Sequence, residues 1–389
     1  MYLKELILRN FRNYRDLEIE FPPGLLIFNG SNAQGKSNLL ESIYILALTK
    51  SPKATSDKEL IRFDSLETDP FTRIAGTINR SDDVVSSVQI DIGLLESAVP
   101  GNQRELNSSL HKQIRINGIP RRPSETIGTI NAVLFSSDDL AIISGSPSIR
   151  RKFLNILISQ FDRGYLKMLQ KYQKIVSERN HLLKKIGSGY GNLSELTFWD
   201  QEFCTLASNI TQVRLETVSE LFRLTLECYS TISSTGEAIR LDYLPAIREE
   251  ESGAPCGLIT EETIKEVRNR ELLLGQTIIG PHRDDLSIKL NGSELAKFGS
   301  RGQFRTMAIA LRLAEGKLLT KNLSEEPILL LDDALSEMDS MRQRKILDSI
   351  GNTDQVLLTT VDSGQNSIFP IAQSNNYQVT AGNILVNSD

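Results

Sequence analysis

The chain has 389 residues, 40% hydrophobic and 24% charged, with a formal net charge of −5. That length allows two or three domains, or one large domain carrying an insertion. The acidic balance argues against a protein that coats nucleic acid indiscriminately, and leaves room only for a local basic patch. Cys204, Cys228 and Cys256 are scattered and odd in number. They fit neither a disulfide framework nor a zinc site, and a reducing cytoplasm is the expected compartment. No apolar run approaches the ~20 residues of a membrane span. The opening Met1–Glu5 carries charges where a signal peptide would be apolar. In chain order, residues 2–10 read as a strand, and 14–21 as a second one with Leu17, Ile19 and Phe21 on one face. Residues 25–29 read as a buried strand and 38–48 as an apolar helix. Residues 71–78 and 88–94 are predicted strands, 100–110 a polar loop, and 114–116 and 132–135 short strands. Ser146-Pro147 is a helix start, and apolar spacing predicts helix from there to about residue 183. Helix is predicted again over 198–226 and 260–274, and strand over 238–244, 276–279 and 286–290. The last of these ends in an Asn291-Gly292 turn.

The segment joining the strand at 25–29 to the next helix is Gly30-Ser31-Asn32-Ala33-Gln34-Gly35-Lys36-Ser37. It fits G-x-x-x-x-G-K-[ST], the P-loop pattern, in the strand–loop–helix setting that the pattern requires. Such a turn aims backbone N–H groups and a helix N-terminus at phosphates. The loop from Gly30 to Asn38 is therefore the candidate nucleotide cradle. Lys36 is expected on the β- and γ-phosphates, and the Ser37 hydroxyl on Mg²⁺.

A second motif supplies carboxylates. Ile328-Leu329-Leu330-Leu331 reads as a central strand ending in Asp332-Asp333, at the strand edge where open α/β sheets bind ligands. Asp332 is the candidate Mg²⁺ residue. Asp333 is the candidate catalytic carboxylate that polarises the attacking water, with Lys36 as its phosphate-binding partner. The alternative is that the pair merely ends a strand and caps the next helix. A third motif, Ser300-Arg301-Gly302-Gln303, stands before an apolar helix over 306–319. A serine hydroxyl and a glycine N–H at a helix start form another phosphate-binding surface.

Ser300, Gly302 and Gln303 resemble the S-x-G-Q signature of ABC-type ATPases, and Ser336-Glu337-Met338-Asp339 resembles their D-loop, with Met338 where leucine is usual. Further matches are Leu8 through Tyr14, Phe135 through Leu140, Arg150 through Leu154, and Gly280 through Leu286. Over nearly its full length the chain is similar to the RecF family, bacterial DNA recombination and repair ATPases related to the SMC proteins. The resemblance implies an α/β fold: an ABC-type P-loop ATPase head in two segments, 1–145 and 261–389, with a mainly helical arm at 146–260. It implies ATP and Mg²⁺ as cofactors, and a homodimer that sandwiches ATP between the P-loop of one copy and the signature of the other. It also implies binding to duplex DNA and duplex–single-strand junctions, with RecR, RecO and RecA as pathway partners. DNA binding of this kind is salt-sensitive and independent of sequence. The candidate basic clusters are Arg121-Arg122, Arg150-Arg151-Lys152 and Lys184-Lys185. The Gly280–Asp285 stretch reads either as part of a ligand-facing surface or as a structural ion-pair turn. No glutamine is assigned to a Q-loop, and Thr360 is a candidate γ-phosphate contact. A transporter-type ATPase subunit is the competing class, and DNA stimulation of hydrolysis discriminates between them.

Overall fold

A computed structural model describes residues 1–81, 84–96, 108–233, 235–247, 258–336, 338–361 and 374–386. The chain forms two units, Met1–Ser137 with Glu315–Asp389, and Asp138–Ala314.

Among the described residues the first unit is built on two six-stranded sheets. The antiparallel one contains β1 (Tyr2–Phe11), β2 (Tyr14–Glu20), β4 (Phe71–Asn79), β5 (Val85–Glu96), β6 (Ser108–Ile116) and β7 (Ile119–Arg121), in the order β2-β1-β4-β5-β6-β7. Its strands alternate: Leu6, Leu8, Ile74, Ile78, Val88, Ile90 and Ile92 are buried. The polar loop expected over 100–110 falls mostly outside the described residues, and its last three residues begin β6.

The other sheet is parallel except at one edge. It contains β3 (Gly24–Asn29), β8 (Ala132–Phe135), β12 (Ile328–Asp332), β13 (Gln355–Thr360), β14 (Ser374–Thr380) and β15 (Asn383–Val386), in the order β15-β14-β3-β13-β12-β8. β15 pairs antiparallel with β14. Every residue of β8 and β13 is buried, which explains the apolar runs Ala132–Phe135 and Val356–Leu358. The helix Lys36–Leu48 touches strands of both sheets. Leu39 to Leu48 are all buried, so this helix has no polar face: it lies within the core of the unit.

The second unit is mainly helical. Helices Pro147–Phe161, Arg163–Gly187, Leu196–Ile232 and Glu261–Leu274 pack with a small antiparallel sheet. That sheet comprises β9 (Ile239–Leu244), β10 (Asp285–Leu290) and β11 (Ser293–Glu294), in the order β11-β10-β9. The helical stretch predicted from 146 to 183 is two helices. Asp162 ends the first, and its side chain accepts the Tyr165 N–H at 2.9 Å to cap the second. The unit reaches past residue 260, to Ala314, because β9 pairs with β10 and because Arg179 ties distant elements together. Arg179 is fully buried, donating to Glu271 at 2.6 and 3.0 Å, to Asp200 at 2.9 Å and to Thr277 at 2.8 Å.

Residues 276–279, predicted as strand, are irregular. Two of their backbone donors are satisfied by side chains rather than by a ladder, and Gln276 N–H donates to the Glu271 carbonyl at 3.2 Å. Thr277 N–H donates to Asn180 Oδ1 at 2.6 Å and Ile278 N–H to Glu271 Oε1 at 3.1 Å. Among the described residues no helix is long and apolar enough to cross a membrane.

Candidate nucleotide site

The P-loop leaves β3 at Asn29 and enters its helix at Lys36. Gly35, the residue before the helix, has φ 116°, a conformation only glycine adopts without strain. A Cβ there would lie 2.5 Å from Asn13 Nδ2. At Gly30 a Cβ would lie 2.4 Å from the Val379 carbonyl oxygen. Both glycines are thus required by close packing around the loop. No side chain caps the helix start, so its N–H groups stay directed at the loop.

The loop is braced from two sides. Asn13 Nδ2 donates to Gln34 O at 3.0 Å, and Asn38 Nδ2 donates to Asn13 Oδ1 at 2.8 Å. Tyr14 OH donates to Gly35 O at 3.0 Å. From the β14–β15 turn, Gly382 N–H donates to Gln34 O at 3.0 Å and Ala381 N–H to Gln34 Oε1 at 2.7 Å. The Arg12–Tyr14 turn matched in the sequence is therefore a brace for the P-loop. Asn13→Ala removes both of its side-chain bonds at once. ATP affinity is expected to fall ~10-fold through a looser loop, at ~0.5–1.5 kcal/mol per bond, as read by equilibrium titration with a fluorescent ATP analogue.

Lys36 is 7% exposed, and its Nζ donates to Gly30 O at 2.6 Å and Ser31 O at 2.8 Å. Burial lowers its pKa, while Asp333 and Asp332 pull it back up. Ser37 Oγ donates to Asp332 Oδ1 at 2.6 Å, joining the P-loop to the end of β12. Thr359 on β13 donates to the same Oδ1 at 3.2 Å, and its Oγ1 accepts the Asp333 N–H at 3.0 Å. Asp333 has φ 52°, a left-handed conformation that aspartate tolerates better than most residues. Lys36, Ser37, Asn38, Asp332, Asp333 and Thr359 line one cavity of about 160 Å³, together with Asn32, Ala33, Gly35 and Val361. A larger hollow of about 280 Å³ in the second unit, beside Ala246 and Ile247, contains none of the motif residues.

Two contributors escaped the sequence reading. Thr359 joins the two acids. Lys53 Nζ lies 3.1 Å from Asp332 Oδ2. Its loop is anchored by Ser51, which donates to the buried Glu41 and accepts the Ala54 N–H at 2.7 Å. Glu41 also takes a two-pronged bond from Arg12 at 2.8 and 3.0 Å. A lone lysine in a Ser/Pro loop carries no motif that would have revealed it.

The other sequence-predicted residues lie elsewhere. Ser300, Gly302 and Gln303 belong to the second unit, at the start of the helix Arg301–Leu323. Of the D-loop match, Glu337 is outside the described residues, and Asp339 caps the helix Ser340–Ile350 by accepting the Arg342 N–H at 3.0 Å. The Gly280–Asp285 stretch is a structural node. Asp284 is 2% exposed and accepts from Ala246 N–H at 2.7 Å and from Tyr243 OH. Asp285 takes both prongs of Arg150 at 2.7 and 2.9 Å, and Arg151 donates to Asp284 O at 2.8 Å. The arginines of the Arg150-Arg151-Lys152 cluster are thus engaged inside the unit, and only Lys152 is exposed. Arg121, Arg122, Lys184 and Lys185 are exposed.

The oxygens of Ser37 and Asp332 converge in the cavity beside the P-loop. Among the described residues no cluster of three or more His, Cys, Asp or Glu could cage a metal. Two oxygen donors fit Mg²⁺, which keeps waters and shares substrate phosphates rather than entering an all-protein cage.

The family model for the RecF/RecN/SMC N-terminal domain matches residues 2–382. The DNA replication and repair protein RecF of Chloroflexus aurantiacus is 36% identical over 397 residues, covering 99% of each chain. That of Lachnoclostridium phytofermentans is 38% identical over 361 residues, covering 92% of this chain and 93% of the relative. A solved structure of the recombination mediator protein RecF with ATP, in the RecFOR pathway, aligns with a TM-score of 0.83 at 30% identity, over 100% of this chain and 98% of that one. An Smc head domain from Pyrococcus furiosus aligns with a TM-score of 0.55 at 18% identity, over 99% of this chain and 95% of that one, and shares the fold.

Proposed function

The chain belongs to the RecF/RecN/SMC family of DNA replication and repair proteins and has its α/β ATPase-head fold, and from that premise we propose that it is an ATP-gated DNA clamp of recombinational repair. ATP binding closes a homodimer on duplex or gapped DNA, and slow, DNA-stimulated, Mg²⁺-dependent hydrolysis reopens it. The protein works in the cytoplasm with RecR and RecO to place RecA on gapped DNA.

The observation that carries this reading is the meeting of the P-loop and Asp332-Asp333 around one cavity, joined by the 2.6 Å bond from Ser37 to Asp332. The N–H groups of the loop and helix start receive the phosphates of ATP. Lys36 turns from the Gly30 and Ser31 carbonyls to the β- and γ-phosphates. Ser37 and Asp332 hold Mg²⁺, which offsets charge on the transferred phosphoryl group. Asp333 orients the attacking water and accepts its proton. Ser300, Gly302 and Gln303 of a second copy close the site on the γ-phosphate side. Dimerisation is thereby linked to nucleotide by mass action.

Ser300→Arg tests the composite site. It sets a bulky cation where a hydroxyl should meet phosphate, at a position remote in sequence from the P-loop. ATP affinity of the monomer is expected to stay within ~2-fold, while ATP-dependent dimerisation weakens ~100-fold or more, about 2.7 kcal/mol. Sedimentation velocity at graded protein concentration reads the second quantity. Unchanged dimerisation would remove the signature from the interface.

A further inference from the structure

Ser300 opens its helix through a reciprocal cap. Its Oγ accepts the Gln303 N–H at 3.2 Å, and its own N–H donates to Gln303 Oε1 at 2.8 Å. The Gln303 Nε2 donates in turn to Glu237 Oε1 at 2.7 Å. An N–H only donates and a carboxylate only accepts, so these two contacts fix which way the amide points. The other oxygen of Glu237 is itself held. It accepts from Tyr229 OH at 2.7 Å, from Thr235 Oγ1 and from Ser233 Oγ at 3.4 Å. Tyr229 is 2% exposed, on the helix Leu196–Ile232. A line of bonds therefore runs from the packed interior of the second unit through Glu237 and Gln303 to Ser300.

This line decides what Ser300 offers. In the cap its hydroxyl oxygen accepts, so the hydroxyl hydrogen remains to be donated to an anionic oxygen. Gln303 is accordingly a holder of Ser300 more than a ligand. We propose that Glu237 is a positioning residue for the signature motif, holding the Gln303 amide so that Ser300 is preset to donate to a phosphate oxygen of the nucleotide bound by a second copy. This rests on the composite-site reading above. Burial works against the charge of Glu237, but the bonds from Thr235, Tyr229, Gln303 and Ser233 hold its carboxyl below the ordinary carboxylate range. It stays an acceptor at neutral pH, and its contribution is lost only as pH falls below that range.

The test uses Glu237→Ala and Glu237→Gln in the full chain, with three readouts. First, amide hydrogen exchange at Ser300 and Gln303 should quicken ~10-fold in Glu237→Ala, the loss of one bond to a charged acceptor. Second, ATP-driven dimerisation should weaken ~10-fold while monomer ATP affinity stays within ~2-fold, with Glu237→Gln losing ~3-fold. Third, the Glu237→Ala/Gln303→Ala double variant should dimerise no more weakly than Gln303→Ala alone, because the two residues act in series. A residue that merely stabilised the unit would lower dimerisation and ATP affinity together and would add to Gln303→Ala. Unchanged exchange at Ser300 and Gln303 overturns the proposal whether or not the protein dimerises. Wild-type dimerisation in Glu237→Ala, or in Glu237→Gln should the alanine variant not fold, overturns it too. A wild type that never dimerises with ATP sinks the composite site instead, and the exchange readout still judges Glu237.

Discussion

Lys36→Met is expected to cut ATP affinity by ~100-fold or more, since it removes charge-assisted bonds of roughly 1.5–3 kcal/mol each to phosphate oxygens. Lys36 is 7% exposed and its ammonium is already bonded to two loop carbonyls, Gly30 O at 2.6 Å and Ser31 O at 2.8 Å. It is thus a desolvated donor set in place before any phosphate arrives. Asp333 and Asp332 favour its charge, although burial wins and lowers its pKa. Methionine preserves much of the apolar stem, so the melting temperature should move by only a few degrees. Calorimetric titration with ATP and Mg²⁺ measures the loss. An ATP affinity within ~3-fold of wild type would mean that the P-loop is not the phosphate cradle.

Asp333→Asn should slow hydrolysis by ~10²–10⁴-fold, the usual range for removing a general base, while leaving ATP binding in place. The substitution isolates chemistry from structure. Asparagine also tolerates the left-handed backbone found here at φ 52°, and the Asp333 N–H keeps its 3.0 Å bond to Thr359 Oγ1. What disappears is an acceptor for the proton of the attacking water. The variant should therefore accumulate as an ATP-bound dimer that turns over slowly. Single-turnover hydrolysis gives the rate, and sedimentation gives the species. A rate equal to wild type would move the catalytic role to another group lining the cavity.

Much of this site is legible in the sequence because its chemistry is local. Gly35 and Lys36 work within one turn of chain, and Asp332-Asp333 end an apolar run whose burial explains its composition. The helix start at Ser300 is legible for the same reason: Ser300 and Gln303 bond to each other across three residues. The missing parts are contacts between distant segments. Lys53 and Thr359 reach the Walker-type acids from another loop and strand, and a single polar residue in a turn gives no periodicity to read. Arg150-Arg151 reads as a phosphate-binding run because the sequence does not reveal that Asp284 and Asp285, more than 130 residues later, receive both arginines. Residues 276–279 fail as a strand for a similar reason. The Thr277 and Ile278 N–H groups go to the side chains of Asn180 and Glu271, which no local pattern identifies.

Nucleotide bound at the P-loop is expected to join two copies of this chain on DNA. Sedimentation velocity of the wild-type protein over a range of concentrations, with and without ATP, in the presence and absence of gapped duplex DNA, tests it most directly. The expected result is monomer without ATP, dimer with it, and a shift of the dimer to lower protein concentration when gapped duplex is added. A monomer at every concentration with saturating ATP and DNA would contradict it.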